Sequence, residues 1–68
     1  MNIIKVKQPP NGDIWINADK IKYYEKDENG CTTIILLDGS PIRVLKDITP
    51  ELTKILKTIN NGNIYMIS

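Results

Sequence analysis

The carboxylates Asp13, Asp19, Glu25, Asp27, Glu28, Asp38, Asp47 and Glu51 are the residues best equipped for acid–base chemistry, but they fall at turns and polar strand positions. General acid–base work needs a shaped pocket that moves carboxylate pKa values apart, and a chain of 68 residues has little room for one. There is no histidine, so the usual general base and the commonest zinc ligand are both missing. The single cysteine, Cys31, excludes an internal disulfide framework and is expected to be a small strand residue rather than a nucleophile. Asp27, Glu28 and Asn29 lack the ordered ligand spacing of a calcium loop. The four glycines stand apart, each beside Asn or Asp, so they mark turns and do not form a phosphate cradle. No enzyme, cofactor or metal site is expected.

Association chemistry is better represented. Strand alternation places Trp15 opposite in phase to Ile14 and Ile16, and pairs Tyr24 with Lys22 on the face opposite Ile21 and Tyr23. Such aromatics either lie in the core or at a sheet edge, serve as protein contacts, or, with lysine on the same surface, stack bases and contact phosphates. The formal net charge is +1 and the charges are interleaved along the chain, a weak footprint for nucleic acid.

The elements that would position these residues are short. Ile3 to Val6 reads as an opening strand, followed by the turn Pro9-Pro10-Asn11-Gly12 and a second strand at Ile14 to Ile16. A turn at residues 17–19 leads to a strand from Ile21 to Glu25, and the polar loop "EKDENG" closes a hairpin with the strand that starts after Cys31. Thr49 is expected to cap a helix with Pro50 in its first position. Leu52, Ile55, Leu56 and Ile59 then form one apolar stripe, and Asn60-Asn61-Gly62 ends the helix. Ile64 to Ile67 is either a last edge strand or an ordered tail.

The stretch "TTIILLDGSPIRVL" is apolar on both sides. With Asp38-Gly39 as a two-residue type I′ turn, Ile35 opposes Ile42 and Thr33 opposes Val44, so Ile35, Leu37, Ile42 and Val44 share one face. That face is expected to lie under the helix. The other carries Ile34, Leu36, Pro41, Arg43 and Leu45, to be covered within the monomer or by another molecule.

These readings predict a single-domain α+β fold: a small, strongly curved antiparallel sheet or partial barrel of four to five short strands, with one short C-terminal helix packed on it. The absence of a basic leader before a hydrophobic run, and of any apolar run of bilayer length, predicts a cytoplasmic protein without membrane insertion.

The segments "NGDIWINADKIKYYE" and "TTIILLDGSPIRVLKDITPEL" resemble the FlbD/SwrD-like small flagellar accessory proteins, over roughly residues 11 to 56. The resemblance implies a small noncatalytic cytoplasmic protein from a bacterial or phage-like setting. "KIKYYEKDENGCTTIILLDGSPIRVL" is also similar to part of the LytTR DNA-binding fold, which implies DNA contact through loops and nearby polar side chains. The functional expectation is a noncatalytic adaptor or regulatory protein acting through protein association, with a homodimer as one form. Its candidate contacts are Trp15, Lys22, Tyr24, Ile34, Leu36, Arg43 and Leu45. The alternative is a compact nucleic-acid-binding regulator.

Overall fold

The computed structural model describes residues 1–59 and 62–68. It shows a small α+β protein whose strands divide into two three-stranded sheets, where the sequence led us to expect one. Strands β1 (Ile3–Lys7) and β2 (Asp13–Asn17) form an antiparallel hairpin, with Lys5 opposite Trp15 and Val6 opposite Ile14. The last strand, β6 (Ile64–Ile67), joins the other side of β1 in parallel, so the first sheet has the order β2-β1-β6. The second sheet is a meander of β3 (Ile21–Lys26), β4 (Thr32–Leu36) and β5 (Pro41–Val44). A single 3-10 turn, Ala18–Lys20, carries the chain from β2 to β3.

Period-two patterning decides what each sheet buries. In β1, Ile4 and Val6 point inward; in β2, Ile16 does so, and in β6, Ile67. They meet Ile34 of β4 and Val44 of β5 in one core, which Ile48 and Leu52 complete. Complete burial of an Ile or Leu side chain stabilises by about 1.5–3 kcal/mol relative to exposure, so these few residues carry much of a small protein's stability.

The β4–β5 turn corrects the expected register. Gly39 N–H donates to the Leu36 carbonyl and Leu36 N–H to the Ser40 carbonyl, both at 2.9 Å, so the loop is the three residues Leu37-Asp38-Gly39. Only Gly39 has positive φ, at 88°, whereas a type I′ turn would need it at Asp38 as well. The Asp38 carboxylate accepts the Ser40 N–H at 2.8 Å and holds this geometry. Ile34 therefore faces Ile42, and Thr33 faces Arg43. A shift of one residue turns every side chain of a strand over. Ile34 is thus wholly buried, and Leu37, expected inside, is 60% exposed.

A second irregularity lies in β3. Ile21 pairs with Leu36 but Tyr23 pairs with Ile35, which leaves Lys22 as the extra residue of a bulge. The bulge brings Ile21 and Tyr24 to the same, core-facing side, where both pack on the core. Tyr24 and Lys22 do not share a face as simple alternation predicts.

Helix α1 (Thr49–Thr58) has the expected length and stripe, with Leu52 buried and Ile55, Leu56 and Ile59 half-buried. Its start differs from expectation. Thr49 is already helical, Ile48 is the cap residue, and Asp47 Oδ1 accepts both the Thr49 N–H (3.0 Å) and the Thr49 hydroxyl (2.6 Å). Asp47 thus provides the acceptor expected of Thr49. Of the expected stop, Asn60 and Asn61 lie outside the described residues, and Gly62 has φ of 83°. The Tyr24 hydroxyl lies 2.7 Å from Thr53 Oγ1 and ties the helix to β3.

Candidate functional site

Because the inner faces of the two sheets share one core, their outer faces point away from each other. On the outer face of the first sheet, pairing across β2, β1 and β6 sets up two rows: Trp15, Lys5 and Met66 in one, Asn17, Ile3 and Ile64 in the next. Trp15 is 58% exposed, Ile64 63% and Met66 56%. These are large apolar groups on the two edge strands of one sheet face, with Lys5 and half-buried Ile3 of β1 between them.

Lys5 organises the patch. Its Nζ lies 4.9 Å from the centroid of the Trp15 ring and 3.2 Å from Asp13 Oδ2. The first contact is a cation–π interaction worth roughly 0.5–1 kcal/mol at an exposed site, and the second is a surface ion pair worth about 0–1 kcal/mol. Together they hold the indole in place and neutralise the cation at the centre of the face. Lys7, beyond them, is exposed and has Asp13 as its cross-strand neighbour.

The other expected contacts do not converge on this face. Arg43 lies on the outer face of the second sheet, opposite Thr33, and its Nη2 is 3.4 Å from Asp27 Oδ2. Lys22 projects from the bulge, exposed. Leu45 is 54% exposed in the link after β5, where its N–H donates to Gln8 Oε1 at 2.8 Å. Tyr24 and Leu36 are half-buried against the core, and Ile34 is enclosed in it. Of the seven expected contacts, only Trp15 belongs to the outer face of the first sheet. Ile64 and Met66 were not among them, although alternation within "IYMI" sets both opposite Tyr65 and buried Ile67.

Shallow depressions indent the surface of the described residues. One is lined by Lys20, Leu36, Leu37 and Asp38; another runs between α1 and β6, past Lys54, Ile55, Thr58, Tyr65 and Met66. The carboxylates with clearly moved pKa values serve turns. Hydrogen bonds from the Cys31 N–H to Asp27, from the Ser40 N–H to Asp38, and from the Thr49 hydroxyl to Asp47 each hold the acid below the usual carboxylate range. Such groups are ionised acceptors at neutral pH, whereas a general acid needs a raised pKa. Among the described residues there is no group of three side chains able to hold a metal ion. No described helix is long and apolar enough to cross a membrane.

Comparison with known protein families, curated proteins and solved structures finds no match to this chain.

Proposed function

We propose that this chain is a noncatalytic association module that pairs with a second copy of itself through the outer face of the β2-β1-β6 sheet. The carrying observation is the placement of Trp15, Ile64 and Met66, each more than half exposed, around a lysine neutralised by Asp13. Isologous pairing suits this face, because each copy presents apolar groups on both edge strands together with both signs of charge, Lys7 and Asp13, at the end of the hairpin. A core drawn from only 68 residues also leaves further apolar contact with a real effect on stability.

Strands about 4.8 Å apart that rise about 3.3 Å per residue give a three-stranded face on the order of 10 by 15 Å. That is small beside the roughly 800 Å² per partner of a standard interface, so the association is weak and reversible. An adaptor or regulatory role fits such an equilibrium, as does the accessory role implied by the FlbD/SwrD-like resemblance, and we read the site of action as cytoplasmic. We also read the short link from Asn17 to Ile21, with the Lys22 bulge, as a corner that curls the strands toward a partial barrel.

Trp15 is the sole tryptophan, so its emission reports the proposed contact directly. Concentrating the protein from the micromolar into the millimolar range is expected to shift the emission to the blue; a spectrum independent of concentration throughout would contradict self-association through this face. The nucleic-acid alternative is less well supported, since Lys5 is already paired and the net charge is +1. It requires binding to single-stranded DNA or RNA that weakens steeply with added salt.

A further inference from the structure

We propose that Asn11–Gly12 is a site of spontaneous deamidation, favoured by the fold over the chemically equivalent pair Asn29–Gly30. An Asn-Gly pair is predisposed to this reaction because glycine has no side chain to shield its nitrogen. The deprotonated Gly nitrogen attacks Cγ of the preceding asparagine, a new N–Cγ bond forms, the Cγ–Nδ2 bond breaks, and ammonia leaves. Water then opens the resulting succinimide. Cleavage at Cγ gives aspartate, and cleavage at the main-chain carbonyl gives isoaspartate. The net change is amide plus water to carboxylic acid plus ammonia, with no oxidation or reduction.

The two pairs differ in what holds the attacking nitrogen. At the β1–β2 turn, the Asn11 N–H donates to the Gln8 carbonyl at 2.6 Å, but the Gly12 N–H has no partner among the described residues. Gly12 is exposed whereas Gly30 is half-buried, so water has the freer approach at Gly12. At the β3–β4 turn, the Gly30 N–H donates to the Asp27 carbonyl at 3.1 Å. The Asp27 carboxylate accepts the N–H groups of Asn29 (2.8 Å) and Cys31 (3.0 Å) on either side. Attack by the Gly30 nitrogen must break its own hydrogen bond and distort that carboxylate-held turn. The adjacent negative charge also opposes deprotonation.

Reaction at Asn11 adds a carboxylate two residues from Asp13, the partner of Lys5, and lowers the formal net charge from +1 by one, to zero. The third Asn-Gly pair includes Asn61, outside the described residues, and plays no part in the comparison.

The test is incubation of the full chain at mildly alkaline pH in oxygen-18 water, followed by peptide mass mapping of label uptake at residues 11 and 29. The folded protein is expected to convert Asn11 at least about fivefold faster than Asn29, the factor that one hydrogen bond represents. In concentrated guanidinium the two rates should converge. Equal rates in the folded protein, a faster Asn29, or an Asn11 advantage that persists undiminished in denaturant would each overturn the proposal.

Discussion

The Thr32 hydroxyl accepts the N–H of Ile48 at 2.8 Å and donates to the Lys46 carbonyl at 2.9 Å, joining the middle of the second sheet to the chain that enters α1. Thr32 and Ile48 are both fully buried, so the Ile48 N–H has no water as a substitute partner. Thr32→Val keeps the shape of the side chain but removes both hydrogen bonds and strands the buried Ile48 N–H, and is expected to cost about 2–4 kcal/mol in urea unfolding. Thr32→Ser keeps the hydroxyl and loses one methyl group, for about 1 kcal/mol. Equal losses for the two variants would show that packing, and not the hydroxyl, holds this junction.

The corrected hairpin register makes a pairwise prediction. Ile34→Ala opens a cavity in the core and is expected to destabilise by about 2–5 kcal/mol. Ile35→Ala trims a half-buried side chain on the outer face and should cost less than about 1.5 kcal/mol. Chemical denaturation of both variants checks the order. The type I′ register would reverse it.

The three turn aspartates set the acid limb of stability. Asp27, Asp38 and Asp47 have folded pKa values below their ordinary 3.8, so between the folded and unfolded values the unfolded chain binds more protons. Stability is therefore expected to rise with pH through that window: their contribution is full well above pH 3.8 and is lost as pH falls through the folded values. Asp38 and Asp47 are exposed and Asp27 is half-buried at the surface, so each effect is modest. Thermal unfolding at graded acid pH, with Asp27→Asn, Asp38→Asn and Asp47→Asn in turn, should show a shallower decline for each variant. Curves parallel to the parent would contradict this assignment.

Local chemistry made much of the fold readable in advance. The opening strand at Ile3 to Val6, the strand at Ile14 to Ile16 with Trp15 out of phase with its neighbours, and the helical stripe from Leu52 to Ile59 were all legible in local pattern, and they fall in β1, β2 and at α1. Two features hidden from local pattern changed the second sheet. Asp38-Gly39 satisfies both a two-residue turn and a three-residue one, and the choice between them reverses β4. The bulge at Lys22 has no glycine to announce it. The parallel pairing of β6 with β1 is a contact between the two ends of the chain, which no window of sequence contains. For the same reason Trp15 could be named as a candidate contact, whereas its placement in one row with Met66, across Lys5, could not be read.

Sedimentation equilibrium of the parent chain beside Trp15→Ser and Met66→Ser tests the central claim most directly. Both positions are exposed, so the variants should remain folded by circular dichroism. The parent is expected to show a reversible monomer–dimer equilibrium at micromolar to millimolar concentration, shifted toward monomer by either substitution. A parent that stays monomeric throughout this range, or a dimer indifferent to both substitutions, would contradict it.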